Sequence, residues 1–142
     1  MSKKIVLFLL LIGIGTVFYF SWLSDPSLQS ETYLPEWILN WSNYNYNLRT
    51  AIPFVAVGFL LEAYTRHMNS NEKYHNQNSN FMQNLGIATI IVCVAEAGQF
   101  LIQKRSPDVM DVFFGIMGSF IGGLGYYLAS IVIKSKRVRN AK

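Results

Sequence analysis

The sequence predicts an all-α membrane protein: a four-transmembrane-helix bundle with both termini cytoplasmic and a short interfacial amphipathic helix in the first outer loop. Three observations predict it. Of the 142 residues, 51% are hydrophobic and only 14% are charged. The apolar residues gather into four blocks, 5–22, 51–64, 85–102 and 112–133, where a soluble core would distribute them at helix or strand period. The basic residues alternate between connecting segments. With the N-terminus inside, nine of the twelve Lys and Arg residues fall on the cytoplasmic side and three outside, as the positive-inside rule requires.

The four spans belong to one domain over residues 1–142. A helix needs about 20 mainly apolar residues to cross the hydrocarbon. The first span, residues 4–23, follows the basic pair Lys3-Lys4, as a signal peptide would. Its long apolar run and the absence of a small-x-small cleavage site favour an uncleaved anchor. The second block is short, so the span extends to 48–66, with Arg49 and Arg66 reaching outward to the interfaces. The third span is 84–103 and the fourth 110–133. A net charge of +4 is accounted for by this topology and makes no case for nucleic acid.

In the first outer loop, Leu34, Trp37, Ile38 and Trp41 share a helical face, and Pro35 suits a first helical turn. This segment reads as an aromatic interfacial anchor or as a lid. The cytoplasmic loop, residues 67–80, is rich in Asn and has no periodicity; His67 and His75 have no partner at metal-ligand spacing. Glu62 and Arg66, four apart at the inner end of the second span, read as a pair with each other, worth about 0.2–0.5 kcal/mol if exposed. Cys93, the one cysteine, reads as a small core residue.

Chemistry is concentrated in residues 96–123. Thr89, Glu96, Gln99 and Gln103 form one stripe of the third span, which places Glu96 roughly 10 Å below the outer end. An acid at that depth is costly unless paired, protonated or facing a wet cavity. Ser106-Pro107-Asp108 reads as a helix start, with Ser106 capping and Pro107 in the first turn. Asp108, Asp111, Gly115, Gly118, Gly122 and Gly125 follow at alternating spacings of three and four, which puts them on one helix face. Gly118-x-x-x-Gly122 allows close backbone approach, here expected from the third span. The candidate catalytic residues are Glu96, Asp108 and Asp111. Arg49, Gln99 and Arg105 are the candidate ligand-binding residues, and Gly115, Gly118 and Gly122 the packing residues.

The pattern Glu96, Gln99, Arg105, Asp108, Asp111, Gly118, Gly122 resembles the C-terminal signature of the VanZ-like family of small membrane proteins. The stretch from Asn47-Leu48-Arg49 to Pro53-Phe54 resembles that family's Asn/Arg and Pro-Phe region. Two departures mark a divergent member: Gly115 stands where the family often has asparagine, and its Asp-Lys-x-x-His segment is absent. The resemblance implies a multi-pass protein of the bacterial plasma membrane, tied to the cell envelope and to resistance against lipoglycopeptides such as teicoplanin.

The residues themselves suggest a site on the extracytoplasmic side. Arg49 and Arg105 would hold an anionic group, such as an envelope lipid phosphate or glycan precursor, by charge-assisted hydrogen bonds. Glu96, Asp108 and Asp111 would act as acid, base or ligands to a hard divalent cation such as magnesium. Three acids without histidine or thiolate argue against zinc. The alternative is a noncatalytic scaffold whose glycine face binds a membrane partner, in an envelope polysaccharide or export assembly or as a homo-oligomer. An ion pathway is disfavoured because these acids stay on one side.

Overall fold

The computed structural model describes residues 2–25, 27–68, 77–103 and 105–140. It is all-helical: α1 (Lys3–Ser21), α2 (Glu36–Tyr44), α3 (Tyr46–Met68), α4 (Gln77–Gln99) and α5 (Val109–Asn140). Four of these helices, all but α2, are long and apolar enough to cross a membrane. Residues 69–76, with Lys73 and His75, lie outside the described residues, as do Lys104 and the basic side chains from Lys134 onward.

The central helix is α3, which packs against α1, α2, α4 and α5. Leu10 and Val17 of α1, Phe54, Val57 and Leu61 of α3, and Ala88, Val92 and Ala95 of α4 make the buried core. The α3–α5 contact is the tightest. A Cβ on Gly58 would lie 2.7 Å from Ser119 Cα, and one on Gly122 would lie 2.9 Å from Phe59 N. At Gly118 it would lie 3.0 Å from the Ala51 carbonyl carbon. The glycine face of α5 therefore meets α3 and not the third span, as the sequence had suggested. Ala51, Val55 and Phe59 recur every four residues along α3 and supply the matching groove. Gly115 faces Val92 of α4 and Phe54 of α3. Gly125 has rotated off this face; a Cβ there meets nothing within 4 Å.

Helix boundaries differ from the sequence expectation: α4 begins at Gln77, within the segment read as a loop, and α5 runs to Asn140, past the expected end at 133. α4 ends at Gln99, and Phe100, Leu101 and Ile102 donate their N–H groups three residues back, at 3.0–3.2 Å. The chain tightens there where the Trp22 indole lies on Gly98. Glu96 is thus only three residues, roughly 5 Å of rise, from its helix end, and Gln103 lies beyond the helix, exposed. α5 begins at Val109, not at Pro107. Asp108 is the flanking residue: its carbonyl accepts from Asp111 N at 3.1 Å and its carboxylate from Met110 N at 2.8 Å. Cys93 is exposed and not a core residue, because α4 buries Ala88, Val92 and Ala95 on the opposite stripe.

The Glu62–Arg66 pair is more than a surface pair. Glu62 is 1% exposed. It accepts from Arg66 Nε at 2.9 Å and from Asn84 Nδ2 at 2.8 Å. Arg66 also donates to Ser130 Oγ at 2.9 Å and lies 5.1 Å from the centre of the Tyr127 ring. Three helices are thereby tied together at the end of the bundle where Lys3 approaches Tyr64.

Gly118→Leu or Gly122→Leu should each destabilise the bundle by about 1–3 kcal/mol or more, the cost of overpacking. Gly125→Leu should stay within about 0.5 kcal/mol of the native protein. Melting temperatures in one detergent will check the contrast; equal losses at all three positions would rule out the glycine contact as the determinant.

Candidate functional site

At the end of the bundle away from Glu62, all five helices contribute to the lining of a cavity of about 260 Å³. Most of its lining is apolar, including Val17 and Phe20 of α1, Leu28 and Leu34 of the loop, and Ile38 and Trp41 of α2. Its polar lining includes Ser42, Arg49, Thr50, Glu96, Gln99, Arg105 and Asp111. Small-molecule sites combine apolar lining with a few convergent polar groups in this way. Trp37 is 71% exposed and does not line the cavity, so the expected α2 stripe divides between cavity and surroundings.

The polar groups hold one another. Glu96 accepts from Gln99 Nε2 at 2.9 Å and from the Asp108 main-chain N–H at 3.2 Å. Gln99 Nε2 also bonds Ser21 Oγ at 3.0 Å. Ser21 Oγ and Trp22 Nε1 both donate to the Ala95 carbonyl, at 3.2 and 3.0 Å. The end of α1 is thereby fastened to the end of α4. Asp111 accepts from Thr50 Oγ1 at 2.9 Å, linking α5 to the start of α3.

Arg105 does not form a contact ion pair with Glu96; among the described residues, the ion pair in contact is Glu62–Arg66. Its Nε donates to Leu23 O at 2.7 Å and its Nη2 to Phe20 O at 3.2 Å. The cation thus satisfies carbonyls at the C-terminal end of α1, where the helix dipole favours positive charge. Burial, and next the neighbouring Arg49 charge, push the Arg105 guanidinium below its ordinary pKa, although an arginine stays protonated in a protein. Arg49 lines the same cavity.

Five of the six candidate catalytic and ligand-binding residues therefore line one cavity: Arg49, Glu96, Gln99, Arg105 and Asp111. Asp108 does not line it. Its side chain is exposed and caps α5, while its main-chain N–H orients Glu96. Among the described residues, no three Asp, Glu, His or Cys side chains converge as a cation would require. Glu96, Asp108 and Asp111 therefore do not meet at one point as three ligands.

Sequence reasoning missed Ser42, Thr50, Ser21 and Trp22. Thr50 next to Arg49, and Ser21-Trp22 at the end of an apolar run, are small signals that spacing alone does not raise. Ser42 is 2% exposed, lines the cavity and has no hydrogen-bond partner for its hydroxyl. A buried hydroxyl without a partner costs roughly 1–3 kcal/mol, so Ser42 is the group here that a ligand would most benefit.

Leu28 reaches the cavity from a turn built on Asp25. The carboxylate accepts from Ser27 N at 2.9 Å, Ser27 Oγ at 2.7 Å and Ser30 N at 2.9 Å. Leu28 follows with φ 59° and is 6% exposed, a left-handed conformation uncommon for a leucine. The Ser27 hydroxyl and then the Ser30 and Ser27 amides hold the Asp25 pKa down at about 2, against 3.8 ordinarily.

Comparison with protein families, with curated proteins and with solved structures finds no match.

Arg105→Ala should destabilise the protein by about 1.5–3 kcal/mol, the worth of hydrogen bonds to a charged group. Arg105→Lys, which keeps the charge but loses the planar fork, should fall between the two in thermal unfolding. The Asp25 turn contributes its full stability above pH 3.8 and loses it as the pH falls through about 2. Proteolysis of the 25–34 loop across that interval should show protection fading in the native protein and little pH dependence in Asp25→Asn.

Proposed function

We propose that this chain is a VanZ-like bacterial cell-envelope membrane protein whose cavity binds an anionic envelope lipid or lipid-linked glycan precursor. The plasma membrane is its location, with both termini cytoplasmic and the cavity on the extracytoplasmic side. α2 lies in the outer interface and covers the site. The observation that carries this reading is the cavity itself. It sits at a helix-bundle end, is lined mostly by apolar side chains, and has two guanidinium groups and a partnerless buried hydroxyl among its polar groups. Anionic oxygens are the acceptors that arginine recognises best. The Ser42 and Thr50 hydroxyls supply further contacts for a phosphate or a sugar.

Within this reading the acids divide. Asp108 belongs to the fold, as a helix cap. Glu96 is held by two hydrogen bonds and orients Gln99. Asp111, which accepts from Thr50 Oγ1 and lines the cavity, is the acid placed to take a proton from a bound headgroup. A link to lipoglycopeptide resistance would follow from altered handling of such a precursor. The scaffold alternative loses its expected surface, because α3 of the same chain already covers Gly118 and Gly122.

Native mass spectrometry of the detergent-extracted protein tests the proposal. The native protein should carry a specific anionic lipid that Arg49→Gln loses while Asp111→Asn keeps it, with folding of both variants checked by thermal unfolding. Equal, unselective phospholipid on all three proteins would leave the cavity without the proposed ligand.

A further inference from the structure

The cavity is too small for a whole lipid. At about 260 Å³ it lies below the roughly 300–1,000 Å³ typical of drug-sized ligand sites, room for a headgroup and a few carbons. Any membrane-length chain attached to that headgroup must leave the cavity, and one flank offers an exit. Thr16 of α1 and Ile52 of α3 line the cavity and are nonetheless exposed on the outside of the bundle. Both belong to helices long and apolar enough to cross a membrane.

An open groove continues from that flank along α1. Ile12, Gly15, Thr16, Tyr19 and Phe20 form it, with Tyr33 of the loop across from them. Thr16 and Phe20 belong to both the groove and the cavity. Ile12 to Tyr19 covers about 10 Å of helix at 1.5 Å per residue, close to the depth of one leaflet's hydrocarbon, about 15 Å. The Tyr33 hydroxyl donates to that of Tyr19 at 3.2 Å and ties the loop to α1 there. Gly15 leaves the groove floor open, for a Cβ there meets nothing within 4 Å. Nothing in the packing of the bundle requires glycine at this position.

We infer that the ligand is a membrane phospholipid with one anionic headgroup. It enters sideways between α1 and α3, past Thr16 and Ile52, and its hydrocarbon chain lies in the α1 groove over Gly15. The inference rests on the anionic-lipid reading of the cavity and adds the route and the seat of the chain. Charge and apolar surface are arranged in the order such a molecule presents them. Arg49, Ser42 and Thr50 line the cavity, and Ile12 and Gly15 line the exposed groove that shares Thr16 and Phe20 with it. Lateral entry spares the headgroup a crossing of the α2 cover.

The test uses phosphatidate carrying a mid-chain diazirine, at trace level in phosphatidylcholine nanodiscs that hold the full chain. After photolysis, adducts are mapped by peptide mass spectrometry. The expected result is adducts concentrated on residues 12–19, removed by excess unlabelled phosphatidate but not by added phosphatidylcholine. They should be lost in Gly15→Leu, whose melting temperature should remain native, and lost in Arg49→Gln. Phosphatidate-sensitive adducts that map to another helix, or that persist in Gly15→Leu, would overturn the groove while leaving the anionic-lipid reading standing. Adducts spread over all exposed faces, and unaffected by either competitor or by Arg49→Gln, would overturn both. Removal by inorganic phosphate as effective as removal by phosphatidate would show that the chain contributes nothing, which also overturns the groove.

Discussion

The backbone contact between α3 and α5 is the constraint on which the other arrangements depend. In hydrocarbon, apolar side chains gain little by leaving lipid for protein, so helices associate through close packing and interhelical hydrogen bonds. Gly58, Gly118 and Gly122 bring the two backbones together. The pairs Ala51–Gly118 and Val55–Gly122 advance together along both helices, so the helices run parallel in a single register. That register sets Thr50 against Asp111 at one end and Arg66 against Ser130 at the other. A shift of one residue would separate both hydrogen-bonded pairs and drive a glycine out of each close contact.

Polar groups occupy the two ends of the bundle and an apolar layer separates them. Phe54, Val57 and Val92 are each at most 2% exposed and fill the middle. At one end Glu62 has its cation and an amide, so its charge is compensated where burial alone would make it costly. The other end is built differently. Arg105 braces carbonyls at the end of α1, Glu96 braces Gln99 and the start of α5, and Ser21 and Trp22 lock α1 to α4. These bonds hold the walls of the cavity apart and keep charged groups on its surface. The residues that line the cavity are therefore also residues that hold the helices together.

Legibility followed the range of each interaction. Span existence was readable because the cost of exposing backbone and charge to hydrocarbon acts on every residue of a 20-residue window. The site residues Glu96, Gln99, Arg105 and Asp111 were readable because charge and amide groups are rare in such windows. Capping by Asp108 was half readable: the local Ser-Pro-Asp signal was sound, but the helix begins at Val109 because Asp108 itself takes the Met110 N–H. The end of α4 was not readable, since Phe100, Leu101 and Ile102 continue the apolar run and the turn there accompanies a Trp22 contact from a distant part of the chain.

By itself the sequence determined four apolar helices, the concentration of polar chemistry near one end of the third and fourth, and a glycine face capable of close contact. Each of these depends on composition or on spacing within one helix, where 3.6 residues per turn converts position directly into direction. Tertiary structure alone decided which helix meets the glycines, that Gly125 is left out, that Arg105 serves α1 and not Glu96, and that Glu62 is buried. It also decided that Ser42 of α2 is buried in the lining of the cavity. Those outcomes depend on how one helix is rotated and raised against another, and that is settled by the sum of contacts between segments tens of residues apart, which no local pattern encodes.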